Sequence, residues 1–287
     1  MSIETSIETI GVVGAGTMGS GIAHVCAAAG FRVILVDVEQ RFLDRSLATI
    51  FRNMSREVEK SKLSSADRDA ALNRIQATLT LDPVSGCQLV IEAVSERLEI
   101  KQPLFQQLDR LCPADTILAS NSSSLSITLL AAKTQRPDRV IGMHFFNPVP
   151  VMKLVEIIRG LNTTDATFAA VKAISERLGK TAIEVHDSPG FVSNRILLLM
   201  INEAIYTVME GVATAEAVDQ VFKLGMNHPM GPLTLADFIG LDVCLDILRI
   251  LHGGLGDSKY RPCPLLIKMV DAGWLGRKSG RGFYKYE

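Results

Sequence analysis

Short apolar runs alternate with longer amphipathic stretches through the first two-thirds of the chain. Residues 10–13 form an apolar run, followed by a glycine-rich turn, a helix-like stretch over 18–29 and a second apolar run at 33–36. This order predicts a strand, a helix and a parallel strand. Later apolar runs predict further strands at residues 89–91, 117–119, 140–143, 154–158 and 182–185. The pattern as a whole predicts an α/β fold with a mainly parallel, doubly wound sheet.

Two features break this alternation. The connection between Asp37 and Leu89 is far longer than the roughly one dozen residues that a crossover needs, and its charged composition predicts an inserted hairpin of two helices. After the turn sequence at 187–190 the short apolar runs stop and long helical stretches begin. We therefore predict a first domain over 1–187 and an all-α domain over 188–287. The helices of the second domain are expected at 196–210, 214–224, 233–251 and 264–272.

Composition narrows the class of protein. Thirty Lys and Arg against 31 Asp and Glu give a net charge of −1, which argues against general binding to nucleic acid or to a membrane surface. With 47% hydrophobic residues the chain is too apolar to be disordered, and the excess predicts an oligomer. Five scattered cysteines and five histidines without ligand spacing predict neither disulfides nor a metal site. Because no apolar stretch approaches the ~20 residues that cross a bilayer, we expect a cytoplasmic protein.

The glycine-rich turn has the spacing GxGxxG, formed by Gly14-Ala15-Gly16-Thr17-Met18-Gly19. It follows an apolar strand and opens a helix, and Asp37 ends the next strand at the customary distance. Together these features predict a Rossmann-type dinucleotide site. In such a site the first glycine makes the turn, the second admits the pyrophosphate, and the third lets the helix pack on the strand with its N-terminus facing the phosphates.

Asp37 also distinguishes between the two nicotinamide dinucleotides. Its carboxylate is expected to accept a hydrogen bond from the 2′-hydroxyl of the adenosine ribose, and it would repel a 2′-phosphate. The next residue, Val38, offers no compensating charge. We therefore expect NAD as the cofactor, while Arg41 leaves NADP as an alternative.

A histidine and a glutamate are the candidate catalytic pair. His144 follows an apolar strand and precedes a proline-rich turn, at the carboxyl edge of the sheet where ligands bind. Glu156 lies within an apolar strand, where a carboxylate is costly unless it is paired. We expect the two to pair, so that the glutamate holds one imidazole tautomer and the histidine takes a proton from an alcohol. The alternatives are a buried structural histidine and a glutamate that faces solvent.

These features belong to a longer set of motifs. GAGTMGSGIA with Asp37, the serine-rich segment 120–124, HFFNPVPVMKLVEII, DSPGFVSNR, HPMGPL and GRGFY occur in this order. Nearly the whole chain thereby resembles the 3-hydroxyacyl-CoA dehydrogenases, and most of all the short, single-function 3-hydroxybutyryl-CoA dehydrogenases. The resemblance implies an NAD-dependent, reversible oxidation at C3 of a 3-hydroxyacyl-CoA, with the helical domain contributing to substrate binding. Apolar helical segments of this domain, such as 196–205, also predict that the protein is a homodimer that assembles through it.

The resemblance also implies roles for individual residues. His144 is the general acid–base, Glu156 orients it, and Ser123 and Asn194 are polar contacts to the reacting oxygen. The implied cofactor-binding set is Gly14, Ala15, Gly16, Thr17, Met18, Gly19, Asp37, Glu96, Lys101, Ser123 and Lys278. By spacing alone, Glu96 and Lys101 are typical of an exposed helix face, while Ser123 and Asn194 are typical of loops or helix caps.

The inserted helices contain the candidate site for coenzyme A. Arg45, Arg52, Arg56 and Lys60 recur at steps of seven and four residues, so they lie close to one helix face that can meet phosphates. An ordinary solvated helix is the alternative. The resemblance assigns contacts with coenzyme A to Asn53, Lys60 and Ser123.

Two other functions stay open at this stage. An enzyme similar to gulonate 3-dehydrogenase would share the fold and the His–Glu pair but oxidise a sugar acid. A protein similar to its lens-crystallin relative would bind NADH without catalysis. A pure binder has no need of a buried acid–base pair, which favours an enzyme.

Overall fold

The computed structural model describes residues 7–286, which divide into two compact units at residues 187 and 188. The strands of the first unit are β1 (Thr9–Val13), β2 (Arg32–Val36), β3 (Ile75–Thr78), β4 (Leu89–Glu92), β5 (Ile117–Ser120), β6 (Val140–Phe145), β7 (Leu154–Arg159) and β8 (Thr181–His186). Its helices are α1 (Thr17–Ala28), α2 (Gln40–Glu59), α3 (Ser65–Leu72), α4 (Leu98–Leu111), α5 (Ile127–Ala131) and α6 (Asp165–Arg177).

The eight strands form one sheet in the order β3-β2-β1-β4-β5-β6-β7-β8. All neighbouring pairs are parallel except β6 and β7, which are antiparallel. The strand order reverses between β1 and β4, which is where doubly wound sheets bind their ligands. The predicted fold class, a Rossmann-type sheet with a helical second part, is confirmed.

The central strands are buried on both faces by helices. Every residue of β4, β5 and β6 is buried, which explains why these strands occur in the sequence as continuous apolar runs. Ile10, Leu35, Ile91 and Ile141 belong to the resulting core. These interior strands hold the residues of the candidate site at their carboxyl ends.

The insertion between β2 and β4 differs from the predicted pair of helices. Both α2 and α3 are present and pack on α1, but the segment continues into an additional strand, β3, which pairs with β2. Its sequence, IQAT, is short and only partly buried because β3 is at the edge of the sheet. This weak apolar signal explains why the sequence did not reveal the strand.

The second unit is helical. It contains α7 (Ser193–Met209), α8 (Ala215–Gln220), α9 (Pro232–Ile239), α10 (Leu241–Leu255) and α11 (Pro264–Asp271) around a core of its own. The predicted single helix over 233–251 is wrong, because Gly240, with a φ of +107°, separates α9 from α10. The predicted helix over 214–224 is α-helical only to Gln220 and then widens into a π turn. None of the helices within 7–286 is both long and apolar enough to cross a bilayer.

All five cysteines are buried and carry free thiols. Burial raises the pKa of Cys26, Cys87 and Cys244 to about 12 and that of Cys112 to about 11. Burial also raises the pKa of Cys263. These side chains therefore serve as small apolar groups of the two cores.

Candidate active site

The turn between β1 and α1 is shaped by its glycines. Gly14 has a φ of +105°, and a Cβ there would lie 2.6 Å from the carbonyl oxygen of Ala93. A Cβ at Gly19 would lie 1.7 Å from the carbonyl oxygen of Gly14, whereas at Gly16 it would meet nothing within 4 Å. The first turn of α1 has no acidic side chain, so its N–H groups and positive dipole end can receive an anion. This turn fits the pyrophosphate of a dinucleotide.

Asp37 lies directly after β2, beside the glycine-rich turn. Its Oδ2 accepts a hydrogen bond from the backbone N–H of Ala15 at 2.7 Å, and its Oδ1 accepts one from that of Val38 at 2.7 Å. Thr17 begins α1, and Met18 packs against the core of the sheet. The residues predicted to bind the dinucleotide at the glycine-rich turn and at Asp37 therefore lie together, with the carboxylate fixed in place.

His144 and Glu156 occupy opposite positions on the antiparallel strands β6 and β7. Nδ1 of His144 lies 2.8 Å from Oε2 of Glu156, and the two residues are only 7% and 3% exposed. Because a carboxylate accepts hydrogen bonds but cannot donate them, Nδ1 carries the proton, and in the neutral imidazole Nε2 is the acceptor nitrogen. The ring of Phe146 lies 4.6 Å from the imidazole. The pair can therefore take a proton at Nε2 and stabilise the charge that results.

The serine-rich segment after β5 folds around the carboxylate of Glu96. Its Oε1 accepts hydrogen bonds from the Ser122 hydroxyl at 2.6 Å and from the backbone N–H groups of Ser123 at 2.8 Å and Ser124 at 3.0 Å. Burial raises the pKa of Glu96, but the Lys101 ammonium and the hydrogen bonds from Ser122 and Ser123 together lower it below its usual value. Glu96 is thus an ionised acceptor that holds the segment containing Ser123.

Lys101 is not on an exposed helix face, so that alternative is wrong for this residue. It lies on α4 with 1% exposure, and its Nζ is 2.6 Å from Oε1 of Glu92 and 3.2 Å from Oε2 of Glu96. Glu92 was not among the site residues predicted from the sequence. The signal was available, because Glu92 ends the apolar strand LVIE, and a carboxylate on an apolar strand is what identified Glu156.

Asn121 connects two parts of the site, a role that the sequence did not suggest. Its Oδ1 accepts a hydrogen bond from the backbone N–H of Phe145 at 2.9 Å, next to His144. Its own N–H donates to the carbonyl oxygen of Glu92 at 2.8 Å. The segment that contains Ser123 is thereby held against the strand that contains His144.

A cavity of about 300 Å³ lies between the glycine-rich turn, α2 and the loop 147–150. On α2 it is lined by Arg45 and Asn53, among others. Lys60 lies beyond, exposed at the C-terminal cap of the helix. Asn53 therefore lines the cavity beside the glycine-rich turn, whereas Lys60 lies outside this lining, at the C-terminal end of α2.

Two predicted residues belong to the second unit. Asn194 lies in the first turn of α7. Lys278 lies in a short 3₁₀ turn, with its Nζ 2.6 Å from the carboxylate of Asp242. The roles that the resemblance implies for them, at the reacting oxygen and at the cofactor, stay predictions.

The two units match two family models in the same order. Residues 9–188 match the model described as 3-hydroxyacyl-CoA dehydrogenase, NAD binding domain, and residues 190–286 match 3-hydroxyacyl-CoA dehydrogenase, C-terminal domain. The chain belongs to the 3-hydroxyacyl-CoA dehydrogenase family. This assignment confirms the resemblance, and the NAD-binding domain of the family supports NAD as the cofactor.

Three relatives within the family are similar to this chain over nearly their full length. The chain is 60% identical over 281 residues to the probable 3-hydroxybutyryl-CoA dehydrogenase of Bacillus subtilis, covering 98% of each chain. It is 56% identical to the 3-hydroxybutyryl-CoA dehydrogenase of Bradyrhizobium diazoefficiens, covering 98% of this chain and 96% of the relative. The crystal structure of (S)-3-hydroxybutyryl-CoA dehydrogenase from Ralstonia eutropha superposes with a TM-score of 0.96 at 51% identity, covering 98% and 100% of the two chains.

Proposed function

We propose that the protein is an NAD-dependent (S)-3-hydroxybutyryl-CoA dehydrogenase of the cytoplasm. It transfers hydride reversibly between C3 of a 3-hydroxyacyl-CoA and the cofactor. The observation that carries the proposal is the buried His144–Glu156 pair at the carboxyl edge of the sheet. Relatives of 56% and 60% identity are named for this activity, which favours a thioester substrate over a sugar acid and catalysis over simple binding of NADH.

His144 handles the proton in both directions of the reaction. During oxidation its Nε2 takes the proton of the 3-hydroxyl group while C3 loses hydride. Glu156 stabilises the imidazolium through its contact with Nδ1, so the new positive charge forms beside a fixed carboxylate. During reduction the same nitrogen returns the proton to the carbonyl oxygen. NAD, when bound, supplies the hydride acceptor, C4 of the nicotinamide.

Other residues position the reactants in this proposal. Ser123 and Asn194 contact the reacting oxygen, and Ser123 also contacts the cofactor. The hydrogen bonds that Glu96 accepts from the serine-rich segment support a fixed position for Ser123. Glu96, Lys101 and Lys278 complete the cofactor side of the site.

The choice of NAD over NADP rests on the residues beside the adenosine ribose. The carboxylate of Asp37 is held by the backbone N–H groups of Ala15, Val38 and Glu39. In this proposal it accepts a hydrogen bond from the 2′-hydroxyl of the ribose. Arg41, the cation that would favour a 2′-phosphate, is in an ion pair with Glu39 at 2.6 Å. Because Arg41 already has an acidic partner, this ion pair supports an adenosine site in which Arg41 does not bind a 2′-phosphate.

We place the coenzyme A moiety along α2. Asn53 lines the cavity beside the glycine-rich turn, and Lys60 lies one to two turns further along the helix, where its ammonium can meet a phosphate. Ser123 contacts the acyl end of the substrate.

The active form in this proposal is a homodimer that uses the helical unit. Its surface exposes large apolar side chains, including Ile196 at 65%, Val212 at 73% and Leu224 at 84%. Exposed apolar surface of this kind is typical of a protein–protein interface.

The first experiment measures the loss of nicotinamide absorbance with acetoacetyl-CoA, using NADH and NADPH in parallel. Turnover with NADH supports the proposal. Turnover mainly with NADPH would keep the reaction and contradict the role of Asp37. If neither cofactor reacts, oxidation of gulonate distinguishes the sugar-acid alternative from a protein that only binds NADH.

A further inference from the structure

The carboxylate of Glu92 is completely buried at the carboxyl end of β4. Its Oε2 accepts a hydrogen bond from the Ser120 hydroxyl at 2.6 Å, and its Oε1 accepts from the backbone N–H of Val94 at 2.7 Å and from Lys101 Nζ at 2.6 Å. A buried charge is costly unless such partners satisfy it. The sheet therefore contains a buried, charged carboxylate that has no role of its own in the proposed hydride transfer.

Two routes lead from the side-chain carboxylate of Glu92 to the segment that contains Ser123, in addition to the backbone hydrogen bond from Asn121 to its carbonyl oxygen. On the first, the ammonium of Lys101 also contacts Oε2 of Glu96 at 3.2 Å, and Oε1 of Glu96 accepts the N–H of Ser123 at 2.8 Å. On the second, the hydroxyl of Ser120 accepts the N–H of Ser122 at 3.2 Å. Glu92 contacts neither residue 122 nor residue 123 in these hydrogen bonds, so its influence on the segment passes through its partners.

Charge determines what happens when Glu92 loses its carboxylate. Lys101 is 1% exposed and cannot turn to solvent, so Glu96 would be the carboxylate that remains beside its ammonium, with the carbonyl oxygen of Val94 at 3.5 Å as a longer contact. Glu96 would be drawn toward the ammonium, and the hydrogen bonds that join its other oxygen to the serine-rich segment would move with it. The reacting oxygen would then meet a displaced Ser123.

We infer that Glu92 is a positioning residue for the dehydrogenase reaction, acting through Lys101 and Glu96 to fix Ser123 at the reacting oxygen. The inference rests on the proposed function, because it needs Ser123 to contact that oxygen. It adds to that function a buried residue that touches neither substrate nor cofactor.

The test is a double-mutant cycle on the reduction of acetoacetyl-CoA by NADH, with Glu92→Gln, Ser123→Ala and the double variant. Because a misplaced serine weakens the transition state more than the bound substrate, Glu92→Gln should lower kcat about tenfold and change KM less than about threefold. In the Ser123→Ala background the same substitution should lower kcat less than about twofold, because the hydroxyl group that Glu92 helps to position is absent. A purely structural role for Glu92 would give the same loss in both backgrounds and would overturn the inference.

Asp109→Asn is the matched control. Asp109 forms another buried ion pair of the same unit, with Arg136 at 2.8 Å and side-chain exposures of 8% and 9%. Both Glu92→Gln and Asp109→Asn should lower the melting temperature, but Asp109→Asn should change kcat less than about twofold. An equal loss of kcat in both variants would mean that lost stability, and not positioning, lowers the rate.

The remaining outcomes separate this inference from the proposed function. If the unmodified protein does not reduce acetoacetyl-CoA, the proposed function fails. If it does, but Ser123→Ala has near-normal kcat or the losses are additive, only the positioning role of Glu92 fails. Should Glu92→Gln not accumulate as folded protein, Glu92→Asp enters the same cycle, because it keeps the charge but withdraws the carboxylate from Lys101.

Discussion

Among the predicted site residues, replacement of His144 should lower kcat the most. A positioned general acid–base contributes about 10²- to 10⁴-fold to a rate, so His144→Gln should lower kcat by that order. The affinity for NADH should change less than about twofold. The reason is that the glycine-rich turn follows β1, whereas His144 lies on β6, three strands away in the sheet. Steady-state kinetics and a fluorescence titration with NADH measure the two quantities. His186→Gln, at an exposed histidine ending β8, should leave both unchanged. Near-normal turnover of His144→Gln would remove this residue from the mechanism.

His24 should make stability depend on pH. Burial, followed by the charge of Lys180, lowers the pKa of His24 to about 4 in the folded protein, against 6.5 for an unperturbed histidine. Between these values the unfolded chain binds a proton that the folded chain does not, so stability falls as the pH falls. The contribution amounts to about 2 kcal/mol between pH 7 and pH 5.

Urea unfolding at both pH values tests this contribution. The unmodified protein should lose about 2 kcal/mol more than His24→Leu over this interval, because the variant has no titrating group at the position. His252→Gln, at an exposed residue of α10, should behave like the unmodified protein. Parallel losses in all three proteins would contradict the buried, neutral state of His24.

At the residue level, sequence patterns identified groups whose surroundings are local and missed those whose partners are distant. His144 and Glu156 could be paired because each is on an apolar strand, where a polar side chain needs a partner. Glu92 carries the same signal, but its partner Lys101 lies on a helix whose spacing is typical of an exposed face. Only the packing of α4 on the sheet reveals that Lys101 is buried.

At the level of elements, α2 should bind the nucleotide part of coenzyme A through Lys60 at the C-terminal end of the helix. Lys60→Ala should raise the KM for acetoacetyl-CoA about three- to tenfold, the effect of one charged contact at an exposed site, without changing kcat. The KM for an acetoacetyl pantetheine thioester, which lacks the nucleotide phosphates, should not change. Lys172→Ala removes an equal charge from α6 and should change neither value. Equal increases for both thioesters after Lys60→Ala would exclude a phosphate contact.

The elements that the sequence described poorly are those with weak or interrupted patterns. β3 is an edge strand whose polar, partly exposed residues give no continuous apolar run. The break at Gly240 lies inside a long apolar stretch, and only its positive φ distinguishes it from a glycine within a helix. Buried central strands such as β4 were predicted because covering both faces imposes a run of apolar residues, here Leu89 to Ile91.

At the level of the whole molecule, we expect a dimer. Light scattering at micromolar concentration should give twice the chain mass of 31.2 kDa. Ile196→Asp, at a 65% exposed position of α7, should shift the distribution toward the monomer, because it places a charge on the apolar surface of the helical unit. Leu161→Asp, at an 83% exposed position of the other unit, is the control and should leave the dimer intact. A monomeric unmodified protein would contradict the expectation.

The overall fold class could be predicted from the sequence because the strand and helix pattern, the turn residues and the position of Asp37 all indicate the same fold. The glycine-rich turn follows a strand, opens a helix and precedes Asp37, and the packing of Gly14 and Gly19 shows why larger residues are excluded there. The number of strands and the antiparallel pairing of β6 with β7 were not accessible, since they depend on contacts between segments that are distant along the chain.

The buried cysteines make the molecule convenient for attaching probes. Maleimides and haloacetamides react with exposed thiolates, and thiols that are covered and whose pKa is raised by burial react slowly. A cysteine introduced at an open surface position, such as Leu161→Cys, would titrate near 8.5 and be modified first. A fluorophore or spin label could then be placed at one chosen point of the dehydrogenase with every native cysteine retained.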